Sequence, residues 1–378
     1  MKIITTLSAT IILMTMLQAF NPKEENKTAA GAAGISRISW GTLNGQEVWL
    51  YTFTNTQGAQ VKITNYGGII TSWITPDKHG QSADVVMGFD NLENYRERHP
   101  YFGSVVGRYA NRIANGKFSI GDRQYTLVVN NGPNHLHGGT IGFDQAVWGA
   151  AIVNGATPVL QLRYLSKDGE EGYPGNLQVE VRYSFSDNNE LKIDYTATTD
   201  QPTHLNLTNH SYFNLTGDVN HTILDHSLVI KAEHYTPFNE HQIPVGKVSS
   251  VAGTPYDFRK VEKIGARIRE VEGAGYDHNY VLPSNDGHLQ LAAIATDAVS
   301  GRKMEVFTTE PGMQFYTGNF LDGHFKTPEG KSINKHAAFC LETQHYPDSP
   351  NQPQFPTTLL LPGQTFHSTT VYRITAGE

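Results

Sequence analysis

The sequence predicts an all-β protein, built as one large antiparallel β-sandwich with only a few short helices. From Ile35 onward, apolar and polar residues alternate with period two, which is the pattern of half-buried strands. The chain of 378 residues contains 36 glycines and 18 prolines, which suits many turns between short strands. Helical segments do not alternate with these strands, and this favours antiparallel sheets packed face to face.

The first 20 residues predict an export signal. They contain one early lysine and then an uncharged, mostly apolar run to Phe20, as in a secretory signal peptide. An uncleaved membrane anchor is the alternative, although the run is barely long enough to span a bilayer. We therefore expect an exported protein, periplasmic or extracellular, with no stable membrane association after signal removal. Residues 21–34 are small and polar, and are interpreted as a flexible linker.

The remaining residues, 35–378, are predicted to form a single domain of strands. Residues 177–186 and 191–198 both alternate strictly, and the DNNE sequence between them provides turn residues, so this pair predicts a hairpin. Similar alternation predicts strands at residues 59–65, 158–165, 226–232, 289–296, 303–309 and 369–375. One short amphipathic helix is predicted at residues 261–271. No repeat of 20–50 residues is visible, which argues against a propeller or solenoid.

Composition excludes several functional classes. With 29 Lys and Arg against 36 Asp and Glu, the net charge is −7, a poor electrostatic match for nucleic acid. The single cysteine excludes an internal disulfide framework and multi-cysteine metal sites. The sequence contains neither a phosphate-cradling glycine loop nor a dinucleotide motif.

Polar residues cluster where the alternation breaks, in segments 107–116, 131–139, 204–217, 275–281, 311–321 and 339–351. Taken singly, His137 could be a turn histidine bonded to a nearby carbonyl, and His210 a structural histidine. Glu342 is different, because it ends the apolar run AAFCLE and is therefore expected to be buried. Burial of a carboxylate is costly unless it is paired or has a function.

A metal site is the alternative interpretation of the histidines. His135 and His137 are two residues apart, so on a regular strand they would point the same way and could chelate an ion with His210 and Glu342. Proline and glycine residues flank this pair, which makes regular strand geometry doubtful. We therefore predict no required metal.

Five motifs, in this order, resemble those of the aldose 1-epimerases (galactose mutarotases): NGPNHLHGG, NLTNHSYFNL, GYDHNY, MQFYTGNFL and FCLETQHYPDSPN. The resemblance extends from about Ser36 to Tyr372. It implies a galactose mutarotase-like supersandwich and an isomerase that acts on free aldohexoses such as galactose and glucose without a cofactor. Typical members of the family are cytosolic, so the export signal is a departure that leaves the preferred sugar open.

The resemblance also implies roles for seven residues. The family's general base corresponds to Glu342, its general acid to His210 and its assisting histidine to His137. The residues implied to bind sugar hydroxyls are Arg112, Asn111, Asp277 and Gln314.

The chemistry of anomer exchange explains why these residue types are needed. Opening the sugar ring requires removal of a proton from the O1 hydroxyl and delivery of another to the ring oxygen O5. We expect the carboxylate to keep His210 charged at neutral pH. Aromatic residues such as Tyr316 or Phe315 are expected to stack on the sugar.

Two other functions would use a similar pocket. A glycoside hydrolase needs two carboxylates flanking the scissile bond, and Asp277 and Glu342 are the candidates. A non-catalytic sugar-binding protein would not need the acid–base pair of Glu342 and His210.

Overall fold

The structure, a computed structural model, describes residues 33–283 and 286–377. The predicted signal at residues 1–20 lies outside the described residues, as does the predicted linker apart from its last two positions. All described residues belong to one compact unit. In this part of the chain, no helix is both long and apolar enough to cross a membrane.

Strands account for most of the regular structure. In chain order the first nine are β1 (Gly34–Leu43), β2 (Gln46–Thr54), β3 (Gln60–Thr64), β4 (Ile70–Pro76), β5 (Ser82–Asp84), β6 (Val105–Val106), β7 (Arg112–Ile113), β8 (Lys117–Ile120) and β9 (Arg123–Thr126). The next nine are β10 (His135–Leu136), β11 (Gly149–Val153), β12 (Val159–Ser166), β13 (Leu177–Phe185), β14 (Glu190–Thr199), β15 (Thr203–His204), β16 (Thr208–Asn209), β17 (Ser227–Ile230) and β18 (His234–Tyr235). The last nine are β19 (Ser249–Ser250), β20 (Glu262–Lys263), β21 (Asp277–Val281), β22 (Gln290–Thr296), β23 (Arg302–Thr308), β24 (Gly312–Tyr316), β25 (Cys340–Gln344), β26 (Leu359–Leu360) and β27 (Phe366–Ala376).

Helical structure is short throughout the described residues. The α-helix α1 (Leu92–Arg96) begins at Asn91, whose side chain accepts a hydrogen bond from the Asn94 backbone N–H. Six single-turn 3₁₀ helices lie at Ala114–Gly116, Phe143–Gln145, Glu170–Gly172, Ile223–Asp225, Ile268–Glu270 and Ser349–Asn351.

Three large antiparallel sheets form the sandwich. The first follows the order β1-β2-β3-β4-β5, the second is nine-stranded with the order β11-β12-β13-β14-β27-β23-β22-β17-β20, and the third follows β19-β18-β21-β24-β25. One apolar core contains residues from all three sheets, including Trp73 of β4, Tyr183 of β13 and Phe315 of β24. The all-β fold predicted from the alternation is therefore confirmed.

The predicted hairpin is confirmed. Strands β13 and β14 pair without interruption from Leu177 opposite Thr199 to Phe185 opposite Leu191. Alternate residues of β13 are buried because one of its faces packs on the core. The six other predicted strands correspond to β3, β12, β17, β22, β23 and β27, with ends shifted by a few residues.

The helix predicted at residues 261–271 is wrong. This segment contains the edge strand β20, then the 3₁₀ turn Ile268–Glu270. The Ile264 and Gly265 backbone N–H groups donate to the His226 and Leu224 carbonyls, at 2.9 and 2.8 Å. A Cβ on Gly265 would lie 2.9 Å from the Leu224 carbonyl oxygen. Pairing with this neighbouring chain segment outweighs the local helical pattern.

The third sheet positions the polar residues of interest. On β24, Phe315 faces the core, whereas Gln314 and Tyr316 face the other side, because neighbouring residues on a strand point in opposite directions. Gln314 pairs directly with Glu342 of β25 and with Asn279 of β21. One face of this sheet therefore carries a buried row of amide and carboxyl groups.

Candidate active site

A pocket of about 280 Å³ brings together polar side chains from distant parts of the chain. Its walls include six of the seven residues singled out from the sequence: Glu342, His210, His137, Arg112, Asn111 and Asp277. The seventh, Gln314, contacts the wall instead, since its Nε2 donates to Asp277 Oδ1 at 2.7 Å.

A larger cleft of about 550 Å³ lies along β4 and β5 and contains none of these residues. Three of its charged groups already have partners. Asp84 Oδ1 accepts the Trp73 and Val86 backbone N–H groups, and Lys331 Nζ lies 2.9 Å from an Asp218 carboxylate oxygen. No histidine is among the residues that line it. The smaller pocket is therefore the better candidate for acid–base chemistry.

Glu342 is buried in β25, as the sequence predicts, with only 2% of its surface exposed. Its Oε2 lies 3.6 Å from His210 Nε2 and has no hydrogen-bond partner among the described residues. Burial raises the pKa of Glu342 well above its usual range, and the negative charge of Asp277 adds to this rise, while Arg112 opposes it. The carboxyl group is therefore a strong proton acceptor whenever it is ionised.

His210 follows the short strand β16 and is held from both sides of its backbone. Its N–H donates to the Ser104 carbonyl at 2.9 Å, and its carbonyl accepts the Gly103 N–H at 3.0 Å. The imidazole ring stacks between Tyr101 and Tyr212, with centroid separations of 5.9 and 5.0 Å. Its Nδ1 is buried with no partner in the described chain. Two aromatic rings thus fix the plane of the imidazole.

Burial also controls the protonation of His210, because it lowers the pKa of the imidazole to about 3. The expectation that the neighbouring carboxylate keeps this histidine charged is therefore wrong for the free protein, since loss of hydration is the larger effect. The pKa shifts of Glu342 and His210 have the same consequence. In the pocket, each group favours its neutral form over its charged form more strongly than it does in water. Together they hold one proton at pH values between the lowered pKa of His210 and the raised pKa of Glu342.

His137 adopts a left-handed backbone conformation, with φ of 52°. Its Nδ1 accepts the Asn111 backbone N–H at 3.1 Å, and its own backbone N–H donates to the Asn111 carbonyl at the same distance. Burial lowers the pKa of His137 well below its usual range, and repulsion from His210, when that ring is protonated, and from Arg112 lowers it further. The ring is therefore neutral, with its hydrogen on Nε2, and acts as a donor.

The metal alternative is weakened by this geometry. His135 is separate from the pocket, since its Nδ1 lies 2.6 Å from the Val128 carbonyl and its Nε2 lies 2.7 Å from the Tyr173 hydroxyl. The left-handed conformation of His137 breaks the alternation that would have aligned the two histidines. One ligand atom each of His137, His210 and Glu342 lie within 4.8 Å of one another, a spacing that could hold an ion. However, a protonated Nε2 on His137 cannot be a metal ligand.

A chain of hydrogen bonds links the residues predicted to bind sugar. Arg112 Nη2 donates to Gln242 Oε1 at 2.5 Å, and Gln242 Nε2 donates to Asp277 Oδ2 at 2.9 Å. Gln314 donates to the other oxygen of Asp277, and Arg112 Nε donates to Asn131 Oδ1 at 3.1 Å. The positive and negative groups are thereby linked through the Gln242 amide in one wall of the pocket.

Comparisons with known proteins identify the family. Residues 50–373 match the sequence model of the aldose 1-epimerase family. The chain is 46% identical to the galactose mutarotase of Bos taurus, over 83% of this chain and 90% of that protein. It is 36% identical to the aldose 1-epimerase of Escherichia coli K12, over 88% and 97% of the two chains.

The chain belongs to the aldose 1-epimerase family.

Solved structures agree with this assignment. A GalM/aldose epimerase homologue from C. elegans superimposes with a TM-score of 0.80 at 28% identity, covering 92% of this chain and all of that one. A galactose 1-epimerase from Lactobacillus acidophilus gives the same TM-score at 27% identity and the same coverage. The predicted resemblance, the galactose mutarotase-like fold and the assignment as an isomerase are confirmed.

Three residues of this pocket were not predicted from the sequence. Tyr101, Tyr212 and Gln242 line the pocket. Tyr212 lies within the NHSYFNL motif, so that motif could have identified it. Tyr101 and Gln242 lie in loops with no distinguishing sequence pattern. Of the two aromatic residues expected to stack on the sugar, Tyr316 lines the pocket, whereas Phe315 lies in the apolar core and does not.

Proposed function

We propose that the protein interconverts the α and β anomers of free aldohexoses, such as galactose and glucose, by opening and closing the sugar ring. The observation that carries the proposal is the pairing of a buried carboxyl group with a buried imidazole, Glu342 and His210, at 3.6 Å in a pocket of sugar size. The relatives that are named galactose mutarotase support the same reaction.

Ring opening would proceed by two proton transfers. The Glu342 carboxylate accepts the proton of the O1 hydroxyl, and the electron pair of that O–H bond forms the C1–O1 double bond. The C1–O5 bond breaks, and O5 takes a proton from His210. After rotation about C1–C2, the reverse transfers close the ring on the other face. Each correctly placed acid or base is worth about 10²- to 10⁴-fold in rate.

Burial of the pair supports this direction of proton transfer. Before ring opening the reactive pair is a carboxylate and an imidazolium, and afterwards both groups are neutral. Because burial raises the pKa of Glu342 and lowers that of His210, the charged pair is less stable here than in water. Opening the ring relieves this instability, and a single proton shared by the pair is sufficient for the cycle.

The other pocket residues would bind the substrate without restraining C1. His137 presents a neutral Nε2–H donor beside His210, with ring centroids 5.3 Å apart, and assists by hydrogen bonding. Arg112 and Asp277, supported by Asn111 and Gln314, bind hydroxyls remote from C1 through charge-assisted hydrogen bonds. Rotation about C1–C2 requires that C1 remain free, so binding at the far side of the sugar fits the reaction.

Polarimetry tests the proposal directly. The purified protein is added to freshly dissolved α-galactose or α-glucose, and the optical rotation is followed with and without EDTA. We expect acceleration over buffer that EDTA does not reduce. Sugar binding without acceleration would instead indicate a sugar-binding protein, and release of reducing sugar from a glycoside would indicate a hydrolase. Activity that EDTA abolishes would restore the metal alternative.

We also propose that the protein is exported, since residues 1–20 have the composition of a signal peptide. N-terminal sequencing of the protein isolated from its native cells tests this. A mature chain that begins near residue 20 is expected, and one that begins at Met1 in the cytosol would contradict export.

A further inference from the structure

Gln242 occupies a special place in the pocket, between two groups of opposite charge. Its Oε1 accepts from Arg112 Nη2 at 2.5 Å, and its Nε2 donates to Asp277 Oδ2 at 2.9 Å. The Gln242 amide therefore bonds to the guanidinium through its oxygen and to the carboxylate through its N–H. The side chain is half-buried and forms part of the pocket wall.

The loop that carries Gln242 is held in a defined shape. Asn239 Oδ1 accepts the backbone N–H groups of His241 and Ile243, at 3.0 and 3.1 Å, and the Gln242 N–H donates to the Asn239 carbonyl at 2.8 Å. Gln242 itself has φ of 58°, a left-handed conformation that is uncommon for a residue with a side chain. Asn134 Nδ2 donates to the His241 carbonyl at 3.1 Å and ties this loop to the segment before His137.

The Gln242 amide prevents a direct ion pair between Arg112 and Asp277 by bonding to both groups. An arginine and a carboxylate that can reach each other tend to form a bidentate ion pair, which uses the same N–H groups and oxygens that a sugar hydroxyl needs. A glutamine between them holds one N–H of the guanidinium and one lone pair of the carboxylate. Arg112 Nε also donates to Asn131, and Asp277 Oδ1 also accepts from Gln314. The remaining donors of Arg112 and the remaining lone pairs of Asp277 are left for a ligand.

We propose that Gln242 is a substrate-positioning residue, which keeps Arg112 and Asp277 apart and oriented so that both can bind the sugar hydroxyls remote from C1. The inference rests on the proposed function, because it assigns these hydroxyls to an aldohexose in the same pocket. Gln242 acts through its two charged neighbours and takes no part in proton transfer.

The test compares the wild-type protein with Gln242→Leu, a variant of similar size that can neither donate nor accept. We expect KM for galactose to rise about tenfold or more, because two hydrogen bonds to charged groups are lost, while kcat stays within about threefold. Gln242→Glu keeps an acceptor for Arg112 but places a second anion beside Asp277, so its KM is expected to rise as well. A fall in KM in Gln242→Leu would mean that the glutamine competes with the sugar, and would overturn the proposal.

A series of deoxy sugars separates positioning from general damage to the fold. The rates with galactose are compared with those for its 3-deoxy, 4-deoxy and 6-deoxy forms. For at least one of them, the additional loss in kcat/KM caused by Gln242→Leu should be much smaller than for galactose, because the hydroxyl that depends on Gln242 is already absent. An equal loss for galactose and all three deoxy sugars would show a merely structural role.

Gln354→Ala is the matched control. Gln354 Nε2 donates to the Gly246 carbonyl at 2.8 Å, so it supports the same stretch of chain from outside the pocket. This variant should keep the wild-type KM. Equal KM increases in Gln354→Ala and Gln242→Leu would contradict a specific role for Gln242. If the wild-type protein itself does not accelerate mutarotation, the proposed function fails; if it does and Gln242→Leu is unchanged, only the positioning proposal fails.

Discussion

Replacement of Glu342 by glutamine should remove the proposed base while preserving the shape of the pocket. Glutamine has nearly the size of glutamate, and the site is already organised for a neutral group, since burial raises the pKa of Glu342 well above its usual range. The variant should therefore fold with a melting temperature near that of the wild-type protein. The variant loses the carboxylate oxygen that lies 3.6 Å from His210 Nε2 in the wild-type protein, and with it the ability to accept the O1 proton.

The expected loss in kcat is about 10²- to 10⁴-fold, the contribution of one positioned acid–base group, which corresponds to about 3 to 5 kcal/mol of activation free energy. KM should change little, because Arg112 and Asp277 are untouched. The assay is polarimetry of fresh α-galactose, with anomer exchange by NMR as an independent measure of slow rates and calorimetry for sugar binding.

Glu310→Gln provides the matched control, because Glu310 is a second buried glutamate in contact with a histidine. It is 3% exposed, and its Oε2 lies 2.6 Å from His345 Nδ1, outside the pocket wall. This variant should retain activity. A folded, sugar-binding Glu342→Gln protein with kcat within tenfold of wild type would refute the assignment of the base, as would an equal loss in Glu310→Gln.

Three further predictions concern the same pocket. His210→Asn should lower kcat about 10²- to 10⁴-fold in the polarimetric assay, with sugar binding retained in calorimetry; unchanged kcat would exclude His210 as the acid. The pH profile of kcat/KM should fall on the acid side only as pH approaches the His210 pKa of about 3, where the pair gains a second proton, and on the alkaline side only above the raised Glu342 pKa; an acid limb with a midpoint near 6.5 would contradict this. Asp277→Asn should raise KM far more than it lowers kcat, and the opposite pattern in steady-state kinetics would assign Asp277 to the chemistry, as a hydrolase would require.

Local sequence pattern was sufficient for the fold class and for several of the longer strands. Strict alternation predicts β13 and β14 because one face of each strand must be apolar to pack on the core, and this relation needs no knowledge of distant residues. The same reasoning fails at residues 261–271, where an amphipathic pattern predicts a helix but the chain forms the edge strand β20 and a 3₁₀ turn. There, hydrogen bonds from Ile264 and Gly265 to a distant loop determine the conformation.

The sequence identified the main acid–base residues of the candidate site, but it did not predict their burial and protonation equally well. Motifs singled out Glu342, His210 and His137, and the structure brings all three to one pocket. It does not bring His135 there, because the backbone turns at His137. The protonation of His210 was predicted in the wrong direction, since sequence reveals a neighbouring carboxylate more readily than the loss of water around both groups.

The amino-acid sequence by itself determined the all-β architecture, the family resemblance and the residue types available for proton transfer, because these depend on short-range periodicity and on motifs. Only the tertiary structure decided which groups meet, how far burial moves the pKa of Glu342 and His210, and that Gln242 joins Arg112 to Asp277. The reason is physical: a hydrogen bond between side chains 35 or 130 residues apart, like the hydration of a carboxylate, depends on how the whole chain packs.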